Sequence, residues 1–254
     1  MLNVFSKKKI VPNESPSVDD NLCVYAVGDI HGRLDLLKKI HRKIIENSQK
    51  YASYEKHVIY LGDYVDRGKN SRKVVDELIN NPLKKEGFKI TYLCGNHEYY
   101  MMKFMTNPYL ADSWLYWGGE ETLESYGIEV YNKEKSRVPL KLIQQKINTN
   151  LPESHRAFLR QLKMMEIVGD YIFVHAGLRP HVPIHKQSSE DLLNIREEFY
   201  ESDFAFEKSV VFGHTIFKEP FIGSGKIGID TGAYSSDILT CLVLEGKKFG
   251  FLNT

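Results

Sequence analysis

Cysteine is scarce in this 254-residue chain, and the three present, Cys23, Cys94 and Cys241, show no metal-ligand spacing. An odd count, each in an apolar, strand-like run, reads as small buried hydrophobes in a reducing compartment. No apolar stretch approaches the ~20 residues that a bilayer span requires, and the first residues lack the continuous apolar segment of a signal peptide. Net charge is nearly absent too: 34 Lys+Arg oppose 33 Asp+Glu, a formal +1 that leaves no global field to draw nucleic acid or an anionic membrane. A basic stripe interleaved with aromatics, as single-strand binding requires, is also missing, which argues against a nuclease. No internal repeat is visible. The expectation is a cytoplasmic protein without membrane or nucleic-acid partner, in which any recognition of phosphate is local.

What is present is enough for a sizeable core. With 42% hydrophobic and 26% charged residues, the chain is expected to form one domain from residue 22 to 254. Residues 1 to about 21, which include Lys7-Lys8-Lys9, read as a flexible tail by composition. The first half alternates strand and helix: Cys23 to Val27, a helix from about Arg33 to Ser48, Val58 to Leu61, a helix from about Ser71 to Asn80, and Lys89 to Cys94. Such alternation predicts parallel βαβ units and an α/β class. In the first helix Leu34, Leu37, Ile40, Ile44 and Ile45 form an apolar stripe opposite Lys38, Lys39, Arg42 and Lys43. From Glu98 to about Leu162 the β-branched runs give way to helical patterns with Met101, Met102, Phe104, Met105, Trp114 and Trp117, read as a helical insertion over about 105–165 whose aromatics are core. Strands resume at 166–168, 171–175, 210–212, 226–229, 238–244 and 248–252, and their tight turns predict an antiparallel second sheet.

Five polar motifs punctuate these elements: Gly28-Asp29-Ile30-His31-Gly32, Gly62-Asp63-Tyr64-Val65-Asp66-Arg67-Gly68, Gly95-Asn96-His97-Glu98, Val174-His175-Ala176-Gly177 and Gly213-His214-Thr215. Each follows an apolar run and is expected at the carboxyl end of a strand, where α/β sheets gather functional groups. Asp29 and His31, one residue apart, can offer an oxygen and a nitrogen to one cation. Asp63 could bridge to a second cation, completed by Asn96, His175 and His214. Carboxylate, imidazole and amide without thiolate suit Mn, Fe or Zn better than Ca and argue against a structural zinc clip. Two such cations about 3.5–4 Å apart can hold a hydroxide between them and clamp substrate oxygens for in-line displacement. Lowering the pKa of water from ~15.7 to ~7 supplies about 12 kcal/mol toward hydroxide at neutral pH. His97 could protonate the leaving oxygen if a carboxylate orients it, Asp66 being the nearest candidate. Arg67 offers a planar fork for phosphate oxygens. Taken singly, each residue has an ordinary structural reading; taken in order, each after a strand, they point to one site.

The five motifs resemble those of the calcineurin-like metallophosphoesterases, over about residues 22 to 254. Gly-Asp-Tyr-Val-Asp-Arg-Gly at 62–68 is similar to the branch that holds serine/threonine protein phosphatases, bacterial and phage protein phosphatases and symmetrical dinucleoside tetraphosphatases. The resemblance implies Asp29, His31 and Asp63 at one metal, Asp63, Asn96, His175 and His214 at the other, His97 as proton donor held by Asp66, and Arg67 with Asn96 on phosphate. Asn194-Ile195-Arg196-Glu197-Glu198-Phe199 resembles a segment that implies Arg196 as a second phosphate-binding arginine, although Asn194 stands where an aromatic is often found. Trp117-Gly118-Gly119 and Thr122 to Gly127 look like the insertion of the small bacterial enzymes, and Ile229-Asp230-Thr231-Gly232 like a turn bordering the site. The fold implied is a four-layer α/β/β/α sandwich, with two transition-metal ions, Mn foremost and Fe or Zn as alternatives. The activity implied is a phosphomonoesterase acting on phosphoserine, phosphothreonine, phosphotyrosine or small phosphoesters. Symmetrical cleavage of a dinucleoside tetraphosphate is the alternative. An inactive phospho-binding relative would lack a ligand or the proton donor, and this chain lacks none. Oligomeric state stays open.

Overall fold

The structure, a computed structural model, describes residues 15–254. Among the described residues ten strands form two five-stranded sheets. Strands β1 (Leu22–Val27), β2 (Glu55–Tyr60) and β3 (Lys89–Tyr92) are mutually parallel, as the βαβ alternation predicts. Strands β4 (Met165–Val168), β5 (Tyr171–Val174), β6 (Ser209–Phe212), β7 (Phe221–Gly223) and β8 (Lys226–Gly228) follow, then β9 (Thr240–Glu245) and β10 (Lys248–Asn253). The first sheet runs β10-β9-β1-β2-β3 and the second β4-β5-β6-β8-β7.

The second sheet is mixed, which corrects the antiparallel expectation: β5, β6 and β8 are parallel, and only the edge strands β4 and β7 run against them. Parallel neighbours need a long crossover, and the β5–β6 connection supplies one. Strands β9 and β10 leave that sheet altogether and extend the first, with Val27 opposite Cys241 in an antiparallel pair.

Helices α1 (Leu34–Ser48), α2 (Ser71–Ile79) and α3 (Pro82–Lys85) come from the first half. Helices α4 (Asn96–Thr106), α5 (Glu120–Ser125), α6 (Leu140–Asn150) and α7 (Glu153–Arg160) span the expected helical insertion, with a π-helical turn at Leu115–Gly119. Helices α8 (Ser189–Asn194) and α9 (Glu197–Tyr200) make the β5–β6 crossover, and α10 (Ala233–Ser236) is a single turn before β9.

Side-chain alternation along the strands divides the core into three layers. Cys23, Tyr25 and Val27 of β1 face Leu37, Ile40 and Ile44 of α1, together with Trp114 and the buried residues of the insertion. Val24 and Ala26 face the other way, onto Tyr171 and Phe173 of β5 and Val211 of β6, so the two sheets pack face to face. Ile172, Val174 and Phe212 turn outward onto Leu192 and Phe199 of the crossover. The result is the four-layer sandwich. Burial on both faces explains why β1 and β2 read as continuous apolar runs. Leu34 and Ile45 of the α1 stripe are half-buried and its lysines exposed. All three cysteines are free and buried, and burial pushes the Cys23 thiol up to about 11, which fits inert hydrophobes.

The expected tail needs a correction on its described part. Val18 is buried and donates its N–H to the Gly246 carbonyl at 3.0 Å, and Ser17 donates to Asp170. Residues 1–14, with the triple lysine, lie outside the described residues. Among the described residues no helix is long and apolar enough to cross a membrane. Ile59, buried between the sheets, tests this packing: Ile59→Ala is expected to lower stability by roughly 2–5 kcal/mol, measured by urea denaturation.

Candidate metal centre

Because β1, β2 and β3 are parallel, as are β5 and β6, all five motifs leave their strands at one edge of the sandwich. Asp29 follows β1, Asp63 follows β2, Asn96 and His97 open α4 after β3, and His175 and His214 follow β5 and β6. Six residues expected around metal therefore meet although they come from both sheets, and all six are buried. The turns that bring them in are strained. His31, Asp63, Asp66, Arg67 and His214 have φ of 44°, 52°, 73°, 63° and 61°, a region that costs non-glycine residues about 1–3 kcal/mol each. At Gly32, φ 65°, a Cβ would lie 2.3 Å from the Gly68 carbonyl oxygen, so only glycine lets the first two motifs touch.

Asp63 lies at the centre. Its Oδ2 is 3.4 Å from His31 Nε2 and 3.8 Å from His97 Nε2, while its Oδ1 is 3.4 Å from His175 Nε2. Two groups of candidate donors share it, His31–Asp63–His97 and Asp63–His175–His214, with donor atoms in each within 4.8 Å of one another. Asn96 Oδ1 lies 2.9 Å from His175 Nε2 and 3.1 Å from His214 Nδ1. Asp29, also buried, falls outside both groups: its Oδ2 accepts the His214 backbone N–H at 3.0 Å, and its Oδ1 has no hydrogen-bond partner.

The proton positions show that these groups suit a cation. His31 Nδ1 lies 2.9 Å from the Val65 carbonyl and His175 Nδ1 2.9 Å from the Leu61 carbonyl. A carbonyl only accepts, so a neutral ring at either position donates from Nδ1; the Nε2 of His31 then turns its lone pair toward Asp63, and that of His175 toward Asp63 and the Asn96 side-chain amide. Burial lowers the pKa of both imidazoles and of His214, favouring their neutral forms. His214 Nε2 is buried without a partner. Burial also raises Asp29, with Asp230 and Asp63 adding to it, and pushes Asp230 up to about 6. Asp63 is drawn the other way: burial would raise it, but the positive charge that His175, His97, His31 and His214 carry when protonated holds it below the ordinary carboxylate range. Lone pairs and carboxylates thus converge without a Lys or Arg ion pair on Asp29, Asp63 or Asp230 among the described residues. Multivalent cations satisfy such a set.

Residues 23–218 match the family described as calcineurin-like phosphoesterase. The chain belongs to that family. It is therefore a metal-dependent phosphoesterase, of a kind that works with two metals, as the sequence resemblance implies. Among curated relatives, "Bis(5'-nucleosyl)-tetraphosphatase PrpE [asymmetrical]" of Oceanobacillus iheyensis is 25% identical over 240 residues, covering 88% of this chain and 89% of its own. Shewanella-like protein phosphatase 2 of Arabidopsis thaliana is 24% identical over 178 residues, 60% of this chain and 46% of that protein. A solved structure described as a candidate diadenosine tetraphosphatase superposes with a TM-score of 0.60 at 20% identity, covering 96% of both chains. That likeness supports the phosphoesterase fold.

The remaining expected residues join the same cluster. His97 Nδ1 lies 2.6 Å from Asp66 Oδ2, the carboxylate proposed for it from sequence. Burial lowers the His97 pKa, but Asp63 and Asp66 outweigh it and the net direction is up. An Arg67 terminal nitrogen is 3.4 Å from His97 Nε2, and its guanidinium lies 4.5 Å over the Tyr234 ring. Arg196, exposed, donates to the His214 carbonyl at 3.0 Å. Both arginines border the buried cluster.

Three further residues escaped the sequence reading. Glu98 accepts four backbone N–H groups, from Asp63, Tyr64, Val65 and Gly95, at 2.7–3.1 Å. Burial and Asp63 push its pKa up to about 8 against those donors, which favour the ionised form. Its place three residues past the helix N-cap was the available signal. Trp114 Nε1 donates to Asp66 Oδ2 at 2.7 Å and Thr122 Oγ1 to Asp66 Oδ1 at 2.6 Å. Both come from the insertion, whose aromatics are expected to be core: Trp114 is, whereas Trp117 is 40% exposed, a correction to that expectation. Glu98→Gln would turn an N–H₂ toward these backbone donors. Metal titration by calorimetry is expected to show about 10- to 100-fold weaker binding, with the circular dichroism spectrum unchanged.

Proposed function

We propose that the chain cleaves the phosphate chain of a dinucleoside tetraphosphate. In this reading Asp29, His31 and Asp63 hold one cation and Asp63, Asn96, His175 and His214 the other. The observation that carries it is the convergence on Asp63 of imidazole lone pairs whose protons are committed to backbone carbonyls. When bound, the two cations supply positive charge to phosphate oxygens and lower the pKa of water.

This chain's own residues do the rest. Arg67 and Arg196, at the border of the buried cluster, bind phosphate oxygens and orient the phosphorus. A water oxygen bonds to that phosphorus and releases a proton to solvent, while the bond from phosphorus to the bridging oxygen breaks. His97, held through Nδ1 by Asp66, presents Nε2 to the departing oxygen and gives it a proton. Trp114 donates to the same Asp66 oxygen that faces His97 and Thr122 to the other, so the carboxylate, and with it the imidazole, has one orientation.

Support for the substrate comes from the near full-length similarity to a tetraphosphatase whose name specifies asymmetrical cleavage. The reading accordingly favours one nucleoside triphosphate and one monophosphate over the two diphosphates of symmetrical cleavage. The phosphoprotein reading retains support from the likeness to Shewanella-like protein phosphatase 2 over 60% of this chain.

Diadenosine tetraphosphate, a phosphoserine peptide and a phosphotyrosine peptide, assayed side by side with Mn²⁺, Fe²⁺ or Zn²⁺ added in turn, separate the readings. Adenosine triphosphate plus monophosphate as the dominant products is expected. Faster turnover of either peptide would overturn the substrate, and two diphosphates would overturn the cleavage position. The leaving group sets a second expectation. An alkoxide needs a proton far more than a nucleotide phosphate does, so His97→Asn should cut kcat by about 10²–10⁴ on an alkyl phosphomonoester. On the dinucleotide the loss should be smaller; equal losses in a comparison of the two kcat values would place the proton donor elsewhere.

A further inference from the structure

Beside the buried cluster lies a cleft of about 630 Å³, bounded at its inner side by Arg67 and Tyr234 and walled by Tyr116, Trp117, Tyr131 and Glu121. Four large rings are exposed there: Tyr116 by 72%, Tyr131 by 46%, Trp117 by 40% and Tyr234 by 38%. Single exposed aromatics are ordinary, whereas four converging on one concavity mark a ligand surface.

These rings are held before any ligand arrives. The Arg137 guanidinium lies 4.5 Å over Tyr116 and hydrogen-bonds its hydroxyl, and Trp117 packs edge-on against Tyr100 at 5.0 Å. Tyr234 lies under Arg67 and edge-on to His31, with ring centroids 5.6 Å apart. The wall is also locked to the metal-centre loop. Gly118, φ 109°, accepts the Arg67 N–H, and a Cβ there would sit 2.4 Å from the Arg67 nitrogen. Trp114 and Thr122, on either side of this turn, both bond Asp66. Ordering has been completed in the fold, so binding loses little entropy to it.

The charges discriminate among occupants. Arg67 is the cation at the inner end, while Glu120 and Glu121 line the body of the cleft. Glu120 is taken up by Arg137 at 3.0 Å; Glu121 has no partner among the described residues. Phosphates are drawn to Arg67 and repelled from the rest. A flat, uncharged, π-rich group with N–H donors fits the rest: rings stack on it, and a carboxylate accepts from its amino or ring N–H.

We infer that this cleft is a nucleoside subsite, in which the aromatic rings stack a purine base and Glu121 accepts from it while the attached phosphates run past Arg67 to the metal centre. This rests on the dinucleotide reading above. It assigns recognition of the base chiefly to the insertion, which supplies Tyr116, Trp117, Glu121 and Tyr131.

The full chain, supplied with Mn²⁺, tests it through kcat/KM for diadenosine tetraphosphate divided by that for β-glycerophosphate, which has no ring. In Tyr116→Ala and Trp117→Ala this ratio is expected to fall about tenfold or more, the scale of one base stacked on an aromatic side chain. A ratio unchanged in both variants would overturn the subsite, as would a matching fall measured only with a phosphotyrosine peptide in place of the dinucleotide. A binding readout needs no turnover. The chain has two tryptophans, Trp114 buried and Trp117 in the cleft, so adenosine monophosphate is expected to quench fluorescence in the wild type and not in Trp117→Phe. Quenching that survives in Trp117→Phe, or is absent from the wild type, overturns the subsite. Failure of the wild type to cleave the dinucleotide, with Trp117-dependent quenching intact, overturns only the substrate reading and leaves a base-binding cleft.

Discussion

The Asp63 carboxylate, held on a left-handed turn after β2, is the constraint around which the centre is organised. One of its oxygens faces His31 and His97, and the other faces His175 from the second sheet. Neutral imidazoles and buried carboxylates do not gather in this way by their own attraction. Glu98 stabilises the arrangement by accepting the N–H groups of Asp63, Tyr64 and Val65, which a turn with φ of 52° at Asp63 withdraws from any strand. The folded framework thus maintains a local charge excess that cations relieve.

The framework can do so because two sheets share one functional edge. Face-to-face packing through Val24, Ala26, Tyr171, Phe173 and Val211 fixes the distance between the ends of β1 and β2 and those of β5 and β6. The insertion adds a third support. Its Trp114 fills the helical layer and at the same time donates to Asp66, and the π-helical turn that follows carries Tyr116 and Trp117 to the mouth of the centre. A single segment therefore ties the orientation of His97 to the shape of the adjoining cleft.

Legibility in the sequence varied with how each element is buried. Strands β1 and β2 were plain because both faces are covered, and α1 because its stripe faces one layer. The crossover helices α8 and α9 span six and four residues, too short for helical periodicity to register. Without them the later strands read as antiparallel, and nothing local marks β9 and β10 as partners of β1 rather than of their neighbours in the chain. Strand β7, three residues long, left no pattern. Val18 looked like part of a polar tail because its burial depends on Gly246, more than two hundred residues away.

Residue types and their order determined the chemistry on offer: carboxylates, imidazoles and an amide, each following an apolar run and flanked by glycine, with an arginine and a further histidine at hand. Those properties are local, and the sequence states them outright. Tertiary structure alone decided that His31 and His175 turn Nδ1 to a backbone carbonyl, that Asp63 stands between two groups while Asp29 falls outside both, that Glu98, Trp114 and Thr122 hold the loops, and that four aromatic rings open one cleft. Each of these depends on which backbone carbonyl, N–H or ring arrives from a distant segment, and a linear pattern carries no record of that arrival.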